Sequence, residues 1–244
     1  MAAVAARWDP GAEAFLRAIE PLARIAVALA GVQPGERILD AAAGDGDVAL
    51  HALGLGAAVS ACDRSAGMVA RGRDRCAQAR WEVADVDALP YADAEFDAVV
   101  GGLGVAFSSR PRRAARELLC VLRPGGVLVL ALFTPHSFTG RVLKMAEGRR
   151  PPTAGVPPPS RWGHRDVARR RLEAAGDVEV DQHDRVLPIG FASVEAAWTA
   201  FSDPFGLPEA SRDRFADALL AQSASAPGVE LRERLLLVRA RRLY

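Results

Sequence analysis

The sequence predicts an α/β fold built on a doubly wound, Rossmann-like sheet of seven mostly parallel strands. Short apolar runs alternate five times with segments of helical periodicity, which is typical of strand–helix–strand units. The fifth run, residues 127–133, is continuously apolar, as expected for a central strand buried on both faces. Two more strand-like segments follow, and the last is expected to be antiparallel because a hairpin-like excursion leads to it.

The first half of the chain predicts an N-terminal helix and five strands. Apolar residues recur with a helical period across residues 12–30, where Pro21 is a candidate break or kink. Ser65 is expected to cap the helix after the second strand, because its hydroxyl can accept from the first helical turn. The other elements expected here are a strand that ends at residues 38–39, helices at 47–53, 66–77 and 111–122, strands at 57–63, 81–85, 96–100 and 127–133, and a turn at 123–126.

The second half begins with a proline-rich stretch, residues 134–163, which predicts an insertion rather than a linker between domains. Alternation of polar and apolar residues predicts a strand at 178–187, and a second strand is expected at 231–240. The helices expected in this half span residues 139–146, 166–175, 193–201 and 208–221, with a loop at 203–206 between the last two.

The composition favours one large domain with a net charge close to zero. Half of the 244 residues are apolar, and a formal net charge of +1 gives no basic field, so nucleic acid is not an expected partner. Cys62, Cys76 and Cys120 have neither pairing nor metal-ligand spacing, which predicts free thiols in a reducing compartment and no metal site. The apolar N-terminus is too short for a secretion signal and no apolar run is long enough to span a bilayer, so a soluble, cytoplasmic protein without a membrane partner is expected.

The turn after the first strand predicts a nucleotide-type ligand. Gly44 and Gly46 allow the backbone to approach a ligand closely, and their spacing fits the dinucleotide fingerprint. Carboxylates at Asp40, Asp45 and Asp47 stand where a pyrophosphate would have to lie, and each would repel it. A cationic ligand therefore suits this turn better.

S-adenosylmethionine is such a ligand, since it carries an ammonium, a sulfonium and no phosphate. Residues 37–50 resemble the glycine-rich first motif of the class I S-adenosylmethionine-dependent methyltransferases, with Ala42 where the family usually has its first glycine. Asp63 matches the acid at the end of the second strand, which in the family accepts both ribose hydroxyls. The end of the third strand resembles the segment that reads the adenine, with Asp85 at the exocyclic amine and the Val86 amide at a ring nitrogen.

Two further segments, 96–100 and 121–128, resemble the family's fourth strand and its turn before the fifth. Within the family the chain looks most like the subgroup related to quinone-biosynthesis C-methyltransferases, because of the run 101–107 with Gly104 and the pair Leu89–Pro90. The resemblance implies S-adenosyl-L-methionine as cofactor and S-adenosyl-L-homocysteine as product. It implies a cofactor site formed by Asp40, Ala42, Gly44, Gly46, Asp63, Arg64, Met68, Asp85, Val86, Gly102, Leu103 and Phe107.

The same resemblance predicts a single methyltransferase domain over residues 1–244. Its expected parts are a helical cover (1–34), a cofactor-binding core (35–133), a substrate-side region with the insertion, the sixth strand and lid helices (134–230), and the last strand (231–244).

The regions outside the sheet hold much of the aromatic content. They predict an apolar lid over a small, apolar metabolite, but the same side chains could equally form a satellite core beneath long loops. Methyl transfer to an oxygen or nitrogen also requires removal of a proton, and His136 and His164 are the candidate bases because they follow the fifth strand on the site side. The aromatic residues concerned are Trp8, Phe15, Phe138, Trp162, Phe191, Trp198, Phe201, Phe205 and Phe215.

The sequence thus predicts S-adenosylmethionine-dependent methyl transfer to the carbon or oxygen of a small, apolar metabolite, in small-molecule or secondary metabolism, by a monomer or homodimer. Two alternatives stay open. The fold could keep the cofactor only as a scaffold for a cyclisation or rearrangement, or the chain could be a non-catalytic partner subunit.

Overall fold

One sheet of seven strands organises residues 12–147, 158–222 and 228–244, the parts of the chain that the computed structural model describes. The strands are β1 (Arg37–Ala41), β2 (Ala58–Asp63), β3 (Arg80–Val83), β4 (Phe96–Gly101), β5 (Leu122–Phe133), β6 (Val178–Phe191) and β7 (Val229–Arg242).

Eight α-helices and three short 3₁₀ helices of the described residues pack on this sheet. The α-helices are α1 (Glu13–Ala30), α2 (Asp47–Gly54), α3 (Ala66–Arg75), α4 (Pro111–Cys120), α5 (Phe138–Glu147), α6 (Arg165–Glu173), α7 (Val194–Phe205) and α8 (Arg212–Leu220). The 3₁₀ helices are η1 (Leu103–Phe107), η2 (Pro159–Gly163) and η3 (Glu209–Ser211). None of these helices is both long and apolar enough to cross a membrane.

The strand order is β3-β2-β1-β4-β5-β7-β6. β1 pairs in parallel with both β2 and β4, so the order reverses at β1, where ligands of doubly wound sheets bind beyond the carboxyl ends of the strands. β7 runs antiparallel to both of its neighbours, β5 and β6. The predicted seven-stranded sheet with an antiparallel last strand is confirmed.

Both prolines at which a helix was expected to break or end lie inside helices. Pro21 is an interior residue of α1, which continues to Ala30. Pro204, in the predicted loop 203–206, lies inside α7, which continues to Phe205 and is capped by Gly206, whose φ of 65° is left-handed. A proline removes a single backbone donor, and the buried apolar face of each helix outweighs that loss.

Two strand ends also differ from the prediction. Residues 123–126, expected as a turn, belong to β5 as an irregular stretch, because Phe96 and Ala98 of β4 pair with Leu122 and Val127 and the four residues between bulge out. β3 ends at Val83, two residues before the predicted end, so Asp85 lies in the loop that follows.

Most of the aromatic side chains outside the sheet form a satellite core. Phe15 of α1 contacts Phe133, Phe201 and Phe205 through their rings, and Phe138 contacts Phe201 and Phe215. Trp162 packs in a different cluster on the other face of the sheet, and Trp8 and residues 148–157 lie outside the described residues. Of the predicted lid aromatics, Phe15 alone among the described residues also lines the cleft described below.

Trp81 of β3 fixes α3 and the start of α2 against the sheet. Its side chain is buried, and its Nε1 donates to the carbonyl of Cys76 at 3.2 Å. The backbone of two glycines packs directly against its ring. A Cβ added at Gly72 would lie 2.2 Å from a ring carbon, and one added at Gly46 would lie 2.8 Å from one. The turn after β1 is therefore held in place partly by the absence of side chains at these two positions.

We expect Gly72→Ala to destabilise the fold by about 1–3 kcal/mol and to lower Tm by roughly 2–12 °C, because the buried indole has no room to move away from the added methyl. Thermal unfolding followed by circular dichroism measures the shift. Gly54→Ala is the matched control, since Gly54 is also helical, has an ordinary φ and has no atom within 4 Å of an added Cβ. A Gly72→Ala variant as stable as Gly54→Ala would contradict this packing.

Candidate functional site

A cleft of about 1150 Å³, including its open part, lies at the carboxyl ends of β1, β2 and β4 beneath α1. All residues that the sequence assigned to the cofactor line it except Gly46. The predicted residues in its wall are Asp40, Ala42, Gly44, Asp63, Arg64, Met68, Asp85, Val86, Gly102, Leu103 and Phe107.

The turn after β1 adopts a left-handed backbone at three positions. Ala42, Gly44 and Gly46 have φ of 56°, 58° and 95°. Ala42 is the non-glycine residue among them, and its Cβ would be 2.8 Å from a Cβ at Gly104, so a methyl at position 42 requires a glycine in η1. The alanine that departs from the family motif is thus accommodated by the glycine-rich run after β4.

Asp40 offers a carboxylate oxygen without a partner. The residue is 1% exposed, and Oδ2 accepts from the Ala49 amide at 2.9 Å, whereas Oδ1 has no hydrogen-bond partner within the described part of the chain. Burial raises the pKa of Asp40 well above its ordinary value, and the charges of Asp47, Asp63 and Asp45 raise it further. A cation placed at Oδ1 would satisfy this orphaned acceptor and offset the negative charges around it.

Asp63 ties the turn to the end of β2. One carboxylate oxygen accepts from the Gly44 amide at 2.9 Å, and the other accepts from the Ser65 amide at 2.8 Å. Ser65 in turn caps α3, as predicted, because its hydroxyl accepts from the Met68 amide at 3.0 Å. A carboxylate is acceptor-only, so Asp63 can hold both amides and still accept from a ligand hydroxyl.

Two of the acids that predicted a cationic ligand are ion-paired. Arg75, at the end of α3, lies 2.7 Å from both the Asp45 and the Asp47 carboxylates. These pairs reduce the charge of the two acids that face the cleft, so the repulsion of a pyrophosphate inferred from them is overestimated. The preference for a cation depends instead on Asp40, which lies deeper.

The loop after β3 places Asp85 and Val86 in the cleft wall. Asp85 Oδ1 accepts from the Asp87 amide at 3.0 Å, and the Asp85 carbonyl accepts from the Ala88 amide at 2.9 Å. Asp87 anchors the loop from behind, because its carboxylate accepts from Ser109 at 2.9 Å. The loop is thus held by its own turn and by the segment after η1.

Three predicted site residues do not reach the cleft. Gly46 packs against Trp81 instead. A glycine is needed there because a side chain would collide with the indole and because its φ is left-handed. His136 and His164 have exposed side chains outside the cleft wall, His136 in the loop before α5 and His164 at the start of α6. Both histidines were predicted as bases from their place in the sequence after β5, but that place does not determine where a side chain points, and both are exposed to solvent.

The largest part of the wall that the sequence did not assign comes from α1. Phe15, Leu16, Ile19 and Leu22 line the cleft, with Ala23 and Ala26 following one face of the helix. Their spacing at three, four and seven residues is an amphipathic signal, and it could have identified this face. A helical cover was predicted, but the prediction did not say which of its residues line the cleft.

Comparison with known proteins finds a methyltransferase-domain match within this chain. Residues 39–130 match the family described as a methyltransferase domain. An uncharacterised protein of Mycobacterium tuberculosis is 39% identical over 165 residues, which are 65% of this chain and 60% of that protein. A demethylmenaquinone methyltransferase of Beutenbergia cavernae is 42% identical over 104 residues, 43% of either chain.

Comparison of the fold with solved structures also finds similar proteins. The YcgJ protein of Bacillus subtilis superposes with a TM-score of 0.67 at 17% identity over 91% of this chain and 98% of its own, a likeness of fold alone. This chain spans about 60% of the length of the first curated relatives it matches. Residues 39–130 thus match a methyltransferase domain, and the confirmed sheet, with a cleft at its reversal point, shares its fold with the solved structure to which it is similar.

Proposed function

We propose that this protein transfers the methyl group of S-adenosylmethionine to the carbon or oxygen of a small, apolar metabolite. The observation that carries the proposal is the buried Asp40 carboxylate, with one oxygen unpartnered, in a cleft whose outer wall is apolar. When bound, the cofactor supplies an electrophilic methyl group on a sulfonium.

The residues present fit this cofactor. Asp40 Oδ1 would accept from the ammonium of its methionine end, beside the Ala42–Gly44 backbone. Asp63 would accept from the ribose hydroxyls while it keeps the Gly44 and Ser65 amides. Asp85 and the Val86 amide would bind the adenine, where a donor stands beside an acceptor.

The acceptor side of the cleft is apolar. Phe15, Ile19 and Leu22 of α1 line it together with Leu103 and Phe107 of η1. Such a wall binds an apolar molecule by burying it from water, and it orients the acceptor for in-line attack. We therefore propose that α1 and η1 form the substrate-side wall, and that the described residues of 134–230 support it from outside the core formed by 35–133.

The described wall contains no histidine, lysine, tyrosine or glutamate. Its carboxylates are the three proposed to hold the cofactor and two, Asp45 and Asp47, that are ion-paired with Arg75. Positioning and exclusion of water, rather than a dedicated base, would therefore supply the rate enhancement. An acceptor that is already a nucleophile without proton removal suits this wall best.

We expect S-adenosylhomocysteine to bind the purified protein at one site with a Kd on the order of micromolar, or about −8 kcal/mol, in isothermal titration calorimetry. ADP-ribose is the control ligand, because it shares the adenosine but carries a pyrophosphate, which Asp40 disfavours. Failure of S-adenosylhomocysteine to bind, or tighter binding of ADP-ribose, would overturn the proposed function.

The absence of a base from the described wall also favours a second candidate, in which the cofactor serves as a scaffold for a cyclisation or rearrangement. Turnover distinguishes the two. A scaffold enzyme runs equally well with S-adenosylhomocysteine, which has no methyl group to give, whereas a methyltransferase stops. A non-catalytic subunit is disfavoured by the orphaned Asp40 oxygen, which has no structural use.

A further inference from the structure

A second polar feature lies outside the cleft, where η2 joins α6. Gly163 of η2 lies so close to β5 that a Cβ there would be 1.7 Å from the Phe133 carbonyl oxygen. The preceding residue, Trp162, is 1% exposed and belongs to the core cluster between the sheet, α4 and α6. The position of the indole is therefore fixed by the backbone around it.

Arg171 of α6 stacks on this indole. Its guanidinium carbon lies 4.4 Å from the centre of the Trp162 ring. Arg171 Nη1 and Trp162 Nε1 are both buried, and neither has a hydrogen-bond partner among the residues that the structure describes. Two donors of one stacked pair thus lack acceptors, although buried donors are nearly always satisfied.

The charges around Arg171 are positive. Burial, followed by repulsion from Arg161 and Arg112, lowers the pKa of Arg171 to about 10. We call these three residues the arginine cluster. Arg171 is half-buried, whereas Arg161 and Arg112 are exposed at the rim of the cluster.

Other arginines on the same two helices form ion pairs with glutamates. Arg113 pairs with Glu117 on α4, and Arg169 pairs with Glu173 on α6. Among the described residues, no carboxylate pairs with any member of the arginine cluster. Because α4 and η2 both pack against α6, the fold brings Arg112 and Arg161 to the neighbourhood of Arg171, and among the described residues it supplies no carboxylate to pair with them.

We propose that the arginine cluster binds an oxyanion, a phosphate or carboxylate group, at the junction of α4, η2 and α6. A guanidinium presents paired donors that match such a group, and the buried Nη1 of Arg171 is preset for it by the stack on Trp162. The site is separate from the cleft, because none of the three arginines lines that cleft. The inference stands whether or not the proposed function is correct.

Inorganic phosphate is the first probe, at constant ionic strength maintained with sodium chloride. We expect Tm of the wild type to rise by about 3–6 °C for each tenfold increase of phosphate above its Kd, because a ligand of the folded state alone stabilises it. A parallel series with acetate tests the carboxylate form. A response to either anion supports the site, and an equal response to chloride alone overturns it.

Arg171→Gln should abolish the phosphate response, and Arg161→Gln, at the exposed rim, should weaken it at least tenfold without affecting the core. In phosphate-free buffer Arg161→Gln should also raise Tm, because it removes a repulsion from Arg171. Arg169→Gln, whose arginine is paired with Glu173, is the control and should keep the full response. An unchanged phosphate response in Arg161→Gln and Arg171→Gln would refute the site.

Discussion

Asp63→Ala is expected to weaken S-adenosylhomocysteine binding by roughly 10²–10⁴-fold, or about 3–6 kcal/mol. Two charge-assisted hydrogen bonds from the ribose hydroxyls would be lost, each contributing about 1.5–3 kcal/mol. The amides of Gly44 and Ser65 would also lose their common acceptor, so the turn would no longer be held in its binding shape. Isothermal titration calorimetry measures the change in Kd.

Asp63→Asn distinguishes the effect of the carboxylate on ligand affinity from its effect on the stability of the fold. Asparagine has the same size, but its amide nitrogen must face either the Gly44 or the Ser65 N–H, and a donor cannot bind a donor. We expect a loss of affinity of at least about tenfold with a small change in Tm. Glu82→Gln on the adjacent strand β3 is the control, since Glu82 does not line the cleft. Wild-type affinity in Asp63→Asn would exclude Asp63 from the site.

The cofactor end of the cleft could be predicted from the sequence because its residues are set by local rules. Asp40 and Asp63 stand at the ends of parallel strands, and such ends meet at one edge of a sheet. Ser65 follows as a helix cap, which is also a local signal. The alternation of strands and helices then brings these residues together without any knowledge of long-range contacts.

What could not be predicted depends on contacts between distant residues. Arg75 neutralises Asp45 and Asp47 from about 30 positions away, and no local pattern links them. Gly46 fits the ligand motif, yet its lack of a side chain is needed by Trp81, which comes from another strand. His136 and His164 illustrate the same limit, since a loop position fixes no side-chain direction.

A buried acid on β7 was overlooked although the sequence contained its signal. Val229, Leu231, Glu233 and Leu235 alternate along the strand, so Glu233 occupies an inward position in a series of apolar residues. The structure buries it to 1% exposure, where its carboxylate accepts from the Thr139 amide in the first turn of α5 at 3.2 Å. A strand residue thus caps a helix nearly 100 residues earlier in the chain.

Glu233 is expected to make the protein less stable as pH rises. Burial raises its pKa from 4.5 to about 7, against the opposing effects of Ser137, Thr139 and Arg141. Between these values the unfolded chain has lost the proton and the folded chain still holds it, so stability falls with rising pH and the loss is complete above about pH 7. A shift of this size corresponds to about 3 kcal/mol, or roughly 6–12 °C in Tm.

Glu233→Gln should remove this pH dependence. Its amide oxygen can still accept from the Thr139 N–H, but it does not ionise, so the variant should be more stable than the wild type at about pH 8 and similar at about pH 4. Thermal unfolding across this range measures the difference. Glu230→Gln, on the exposed face of the same strand, is the control and should keep the wild-type slope. If Glu233→Gln and the wild type lose stability equally between these pH values, the carboxylate that caps α5 is not the group that titrates.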